Sequence, residues 1–286
     1  EYAKKILLTN AAREAAYESA VKSVVLLKND KEILPFDKTK KLALIGPFAD
    51  NSAEMLGAWS AEGKAEDVVN PLSAISEKMQ VVYAKGCEFD EYNEEQLNAA
   101  VKAAEQCDAA VVFIGEPRDM NGEGKSRTKN IIPKAQIDLL KAIKAVGKAT
   151  AAIVIAGRPV VLTEVYETAD AVLFSGALGN MAGRAYADIL LGIQNPGGKL
   201  VNTFPTTVGQ APLYYNHNNT GKPPVEEFFW TSKYIDCPIE PLFPFGFGLS
   251  YTQYRYDNMK INSEQLGADE ILSISVDVTN TGKRDG

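Results

Sequence analysis

The chain has 286 residues, 45% of them hydrophobic and 23% charged, the makeup of a globular protein long enough for one large domain or one domain and a second piece. A net charge of -7 without any basic stripe argues against a nucleic-acid partner, which would need clustered Lys and Arg to displace phosphate counterions. No apolar run reaches the roughly 18–20 residues that cross a bilayer, and Glu1 to Lys5 lack the apolar core of a signal peptide, so no membrane partner is expected.

Thr9, followed by Asn10, Ala11 and Ala12, opens a helical pattern. Ala15, Ala16, Ser19, Ala20, Ser23 and Val24 then recur at helical spacing, and such small residues predict close packing on a sheet. Short apolar runs follow at 42–45, 81–83, 109–114, 151–155 and 171–174, most of them closed by a glycine: Gly46, Gly115, Gly157 and Gly176. Unbroken runs of this length read as parallel strands buried on both faces. Helical patterns at 94–106, 133–146, 161–168 and 182–191 lie between them. The alternation predicts an α/β fold with a doubly wound, mostly parallel sheet sandwiched by helices, whose ligands sit at the carboxyl ends of the strands. The loops after Gly46, Gly115 and Gly157 are therefore the candidate site.

Beyond about residue 195 the chain becomes Pro- and aromatic-rich, as in Tyr214-Tyr215-Asn216-His217 and Phe243-Pro244-Phe245-Gly246, and is expected to wrap the sheet. Residues 271–278 alternate apolar and polar side chains as a half-buried strand does, and Asn280-Thr281-Gly282 makes a turn. With nothing to pair with, this strand predicts a β-sandwich truncated near its start. Cys87, Cys107 and Cys237 are too few and scattered for a disulfide framework and are expected to be buried small side chains. His217 reads as structural, and without CxxC or HExxH spacing neither a metal nor another cofactor is expected.

The segment from Val111 to Ser126 invites comparison with a phosphate-binding loop, because Gly124-Lys125-Ser126 follows a strand. The first glycine of that motif is replaced by Asp119, whose charge repels phosphate, and the next helix cannot start before Pro133. What remains is a long polar excursion from a strand end carrying Glu116, Asp119 and Glu123 beside Lys125 and Arg127. Carboxylates so placed can do acid/base work or simply form a solvated surface loop.

The run Gly115-Glu116-x-x-x-Met120-Asn121-Gly122-Glu123-Gly124-Lys125-Ser126-Arg127 resembles the G-E-x-x-x-M-S-G-E-A-x-S-R loop of glycoside hydrolase family 3. Further segments resemble the family in the right order, among them Met55-Leu56-Gly57-Ala58-Trp59-Ser60, Ala156-Gly157-Arg158-Pro159, Asn195-Pro196-Gly197-Gly198-Lys199 and Pro244-Phe245-Gly246-Phe247-Gly248-Leu249-Ser250-Tyr251-Thr252. Together they cover essentially the whole chain. The resemblance implies a barrel bearing an aspartate nucleophile, then this α/β sandwich domain, then a fibronectin type III-like domain. Residues 1–22 are then a linker helix from a missing N-terminal barrel, 23–252 the sandwich domain, and 253–286 the truncated start of the third domain. A fragment is the expectation.

Carried over by position, Glu123 matches the family's general acid/base, while Glu116 is expected to anchor the loop by accepting backbone hydrogen bonds. Trp59 and Arg127 are candidate substrate contacts, Trp59 as an aromatic platform for a sugar and Arg127 also as a carboxylate partner that holds the loop. Asn121, Gly124 and Met181 depart from the usual Ser, Ala and Glu; Gly124 is expected to loosen the loop and Met181 to remove a carboxylate near the domain interface. The implied function is part of a periplasmic or secreted retaining exo-β-glucosidase acting on oligosaccharides or glycosides. The alternatives are a β-xylosidase of the same family and a non-catalytic carbohydrate-binding or interaction module.

Overall fold

A computed structural model describes residues 5–225 and 227–286; the first four residues of the expected linker helix lie outside the described residues. Helix α1 (Asn10–Ser23) starts where the Thr9 hydroxyl accepts the Ala12 amide at 3.2 Å, and it turns Tyr17, Ala20 and Val21 inward. Strand β1 (Val25–Asn29) follows, then β2 (Lys41–Ile45), the short helices α2 (Ser52–Leu56) and α3 (Pro71–Ser76), and β3 (Gln80–Ala84). Helix α4 (Glu94–Glu105), β4 (Ala109–Gly115), α5 (Lys134–Ala145), β5 (Ala149–Ile155), α6 (Thr163–Thr168), β6 (Ala171–Ser175) and α7 (Ala182–Leu190) complete the sandwich.

The six strands form one sheet in the order β1-β6-β5-β4-β2-β3. All neighbours are parallel except β1, which joins the edge antiparallel to β6. The expected doubly wound, mostly parallel sheet is present, with one edge strand that the sequence pattern did not single out. β4 is buried at every residue, and its side chains divide by the period-2 rule. Val111 and Phe113 enter a core with α1, α3 and α7, whereas Val112 and Ile114 enter a second core with α4, α5 and α6. Helix α7 is buried at every residue but Arg184 because α1 and α3 pack on it.

The direction of winding reverses between β2 and β4, since β3 lies outside β2 while β4, β5 and β6 continue the other way. A crevice at such a reversal is where open α/β sheets bind ligands. The loop after β4 starts at this point, and Gly115 is required there. Its φ is +155°, and a Cβ on it would sit 1.9 Å from the Ile155 carbonyl oxygen.

The Pro- and aromatic-rich stretch runs along the β1 side, bridged to the sheet edge at Leu26–Leu249, with Phe204 and Phe243 paired across it. Two expectations for the tail need correcting. The last strand does have a partner: β7 (Tyr254–Ile261) and β8 (Ile274–Asn280) form an antiparallel pair. Nor is it half-buried, since β8 is exposed throughout. Cys87 and Cys107 are buried as expected, and burial pushes the Cys87 thiol up to about 12; Cys237 is only partly buried.

Candidate active site

The loop from Glu116 to Ile132 leaves β4 at its carboxyl end, where Gln136 of α5 closes off the strand. The Gln136 amide oxygen accepts the Gly115 N–H at 2.7 Å and its NH2 group donates to the Gly115 carbonyl at 3.1 Å. Gln136 is fully buried, and its NH2 group also donates to the Phe89 carbonyl, so both of its polar ends are satisfied. The next residue, Glu116, is buried as well, and a carboxylate without water needs partners. It finds two guanidiniums. Arg127 donates to Oε1, and Arg158, just past β5, donates from Nε to Oε2 at 3.1 Å.

The expected anchoring role of Glu116 is thus filled, but by arginine side chains rather than backbone N–H groups. The same Arg158 binds the Met120 and Lys125 carbonyls at 2.9 and 3.0 Å. Arg127 also reaches the Ile131 carbonyl at 3.2 Å, near the far end of the loop. Asn121, where serine is usual, donates to the carbonyls of Glu116 and Pro117 at 3.2 and 3.1 Å. Serine has no amide NH2 to make this pair of bonds.

On its other side the loop meets the segment after β2. Glu54 of α2 accepts the Arg118 amide at 2.7 Å and faces the Arg118 guanidinium at 3.8 Å. Burial raises the Glu54 pKa, against the opposing pull of the Arg118 amide and guanidinium. Lys125 donates to the Arg118 carbonyl and to Asp119, both at 3.3 Å. Just after α2, Ala58 packs on Gly122, where an added Cβ would come within 2.8 Å of the Ala58 methyl and 3.9 Å of the Trp59 indole nitrogen.

These contacts bring Trp59 and Glu123 to the same end of the sheet on adjoining loops. Trp59 is 75% exposed. Glu123 is exposed, and among the described residues its carboxylate has no hydrogen-bond or ion-pair partner. Gly124 has a φ of +71°, a left-handed turn that glycine adopts without strain, so glycine here fits the path of the loop instead of loosening it. Met181 is buried in the core beside α7, and His217 is exposed in its loop.

A groove of about 740 Å³ opens beside this loop at the ends of β5 and β6, lined in part by Gly157, Arg158, Phe174 and Asn180. Neither Glu123 nor Trp59 lines it. Among the described residues no cluster of three or more His, Cys, Asp or Glu could hold a metal ion, and no helix is long and apolar enough to cross a membrane. What the arrangement offers is a carboxyl without a partner among the described residues and an exposed indole on the adjoining loop, the carboxyl on a loop fixed from below and from two sides. Such a carboxyl can donate or accept a proton at a group bound above it. Sequence reasoning missed Glu54, Gln136 and the loop-binding role of Arg158. Arg158 alone carried a signal, in the Ala-Gly-Arg-Pro segment after a strand.

The glycosyl hydrolase family 3 C-terminal domain matches residues 24–251. Relatives include a periplasmic beta-glucosidase of Salmonella typhimurium, 40% identical over 96% of this chain and 39% of its own length. A beta-xylosidase of Formosa agariphila is 36% identical over 97% of this chain and 39% of its own length. Among solved structures, a beta-glucosidase from Listeria innocua in complex with isofagomine superposes with a TM-score of 0.93 at 35% identity, covering 96% of this chain and 39% of that one. The chain therefore spans about two fifths of the length of the relatives it matches.

Proposed function

Since the chain belongs to glycosyl hydrolase family 3 as its C-terminal domain, we propose that it supplies the general acid/base of a retaining exo-β-glucosidase. The observation that carries this reading is Glu123: a carboxyl without a partner among the described residues, exposed on a loop whose backbone is clamped at the carboxyl end of β4. Retaining hydrolysis needs a second carboxyl about 5–5.5 Å away as nucleophile. A barrel domain preceding this chain provides it, in keeping with the two-fifths coverage of the relatives. The segment 1–22 is then the linker from that barrel, 23–252 the sandwich domain and 253–286 the start of a fibronectin type III-like domain.

In the first step Glu123 protonates the glycosidic oxygen as the bond to the leaving sugar breaks. In the second it takes a proton from the water that attacks the glycosyl–enzyme ester. A carboxyl with this double task must hold its proton near neutral pH, which burial under a docked domain promotes. Trp59 offers a stacking face to the leaving sugar. Arg127 has more N–H donors than its bonds to Glu116 and Ile131 use, and is the other candidate contact on that side. The substrates are oligosaccharides or glycosides with a terminal β-linked glucose, and the compartment is the periplasm, as in the name of the Salmonella relative, or the exterior.

The test is Glu123→Ala in the complete enzyme. General acid/base catalysis contributes roughly 10²–10⁴-fold, so hydrolysis of an unactivated disaccharide should fall by that order. An activated aryl glucoside should still form the intermediate, with turnover recovered by added azide. An unchanged rate on the disaccharide would exclude Glu123 as the acid. The purified chain alone should not turn over, and measurable hydrolysis by it would refute the two-domain account. The beta-xylosidase relative supports a second specificity, decided by comparing aryl glucoside with aryl xyloside in the same enzyme.

A further inference from the structure

We propose that Glu54 is a positioning residue that sets the spacing between the Glu123 carboxyl and the Trp59 indole, acting through the backbone of Arg118. The inference rests on the acid/base reading of Glu123. Glu54 lies on the five-residue helix α2, which the Asn51 side chain caps by accepting the Glu54 amide at 3.3 Å. Its carboxylate is buried, yet its only close hydrogen bond among the described residues goes to a main-chain group of the neighbouring loop, the Arg118 N–H at 2.7 Å. Ionic partners do not account for its burial. The Arg118 guanidinium stands off at 3.8 Å and is 43% exposed, so its contribution is weak.

The path from this contact reaches both functional groups. Arg118 gives its N–H to Glu54 and its carbonyl to Lys125, which lies two residues beyond Glu123. In the other direction, α2 leads through Gly57 to Ala58, which packs on Gly122, and to Trp59. Glu54 is therefore the hydrogen-bonded link between the element that carries the indole and the loop that carries the carboxyl. The clamp of Arg127 and Arg158 on Glu116 fixes the loop to β4 and β5, but it makes no bond to the segment bearing Trp59. Removing the Glu54 acceptor would leave that relation to the Gly122–Ala58 contact alone. The charged groups facing Glu54 are Arg118, Asp119 and Lys125.

The experiment compares Glu54→Ala, Glu54→Gln and Glu54→Asp in the complete enzyme, on an unactivated disaccharide and on 2,4-dinitrophenyl glucoside. In the step that forms the glycosyl–enzyme, which kcat/KM reports, a displaced acid penalises only the poor leaving group, and a misplacement near 1 Å costs up to roughly 100-fold. Glu54→Ala should lower kcat/KM on the disaccharide about 10–100-fold while changing kcat/KM on the dinitrophenyl substrate by less than about 3-fold. Glu54→Gln keeps an oxygen for the Arg118 N–H and should restore both rates to within about 3-fold of the parent. Should Glu54→Ala fail to fold, Glu54→Asp, whose acceptor is drawn back by one methylene, decides with the same selective loss. Equal loss on both substrates, no loss, or a Gln variant as impaired as Ala overturns the proposal. Glu123→Ala run alongside separates the two readings: without leaving-group selectivity in that variant the acid/base assignment itself fails, whereas selectivity there and none at position 54 removes only the role of Glu54.

Discussion

Replacing Glu116 by alanine tests the clamp directly. The parent carboxylate has no side-chain exposure and is shared by two guanidiniums that are 22% and 26% exposed. Removing one member of a buried ionic group costs about 3–5 kcal/mol, because the charges left behind lose their partner without regaining full hydration. Partial exposure of both arginines lets water recover part of that loss, which places the expected destabilisation near 3 kcal/mol. At roughly 2–4 °C per kcal/mol for a domain of this order of size, the melting temperature should fall by about 6–12 °C. Calorimetry of Glu116→Ala, Arg158→Ala and the double variant measures this, and the cycle should show coupling of at least about 1 kcal/mol between the two sites. Because the carboxylate shared by the two arginines is fully buried, the drop should persist in 0.5 M NaCl. A change below about 2 °C, or one that vanishes in salt, would show that Glu116 behaves as a surface charge and would refute the clamp.

Gly115→Ala drives a methyl into the Ile155 carbonyl, so the chain should lose more than about 3 kcal/mol and give little soluble protein; wild-type yield and melting would contradict the close approach. Gln136→Leu strands the N–H and carbonyl of Gly115 in the core, an expected loss of about 2–4 kcal/mol in urea unfolding, and a loss under 1 kcal/mol would mean that water replaces the amide. Tyr17 donates to Asp188 at 2.6 Å, and burial together with that bond pushes its hydroxyl up to about 12. An unfolded tyrosine ionises near 10, so the unfolded chain loses this proton first. The associated stability is complete below about pH 10 and disappears as the pH rises through about 12. Urea midpoints measured from pH 8 to 11.5 should therefore fall less steeply for Tyr17→Phe than for the parent, and parallel curves would count against the linkage.

The central sheet was legible because β4, β5 and β6 are buried on both faces, and a strand in that position must be apolar at nearly every residue. β1 was less so: its Val25-Leu26-Leu27 core ends in Lys28 and Asn29, and no periodicity in five residues says that they turn antiparallel against β6. β7 was illegible for another reason. Tyr254 to Ile261 has nearly all its side chains in solvent, so neither face imposes an alternation. In the site, Glu123 and Trp59 could be read only through the resemblance, since exposed residues carry no packing signature. Glu54 and Gln136 left no trace because each is one polar residue among others in a helical stretch, and only the folded chain shows that one faces the Arg118 amide and the other the Gly115 N–H and carbonyl. Arg127 and Arg158 lie thirty-one positions apart, and nothing in their spacing announces a shared carboxylate.

The loop after β4 is grasped mostly by its main chain. Arg158 takes the carbonyls of Met120 and Lys125, Asn121 those of Glu116 and Pro117, and Glu54 the N–H of Arg118. Its course therefore depends little on which side chains it displays outward. Ser126 and Thr128 stand exposed along it, on the same loop as Glu123, without bonds to the described residues. The scaffold thus works as a fixed rail on which the outward side chains are interchangeable, so the surroundings of the acid can be rewritten at these two positions while the track that carries it stays in place.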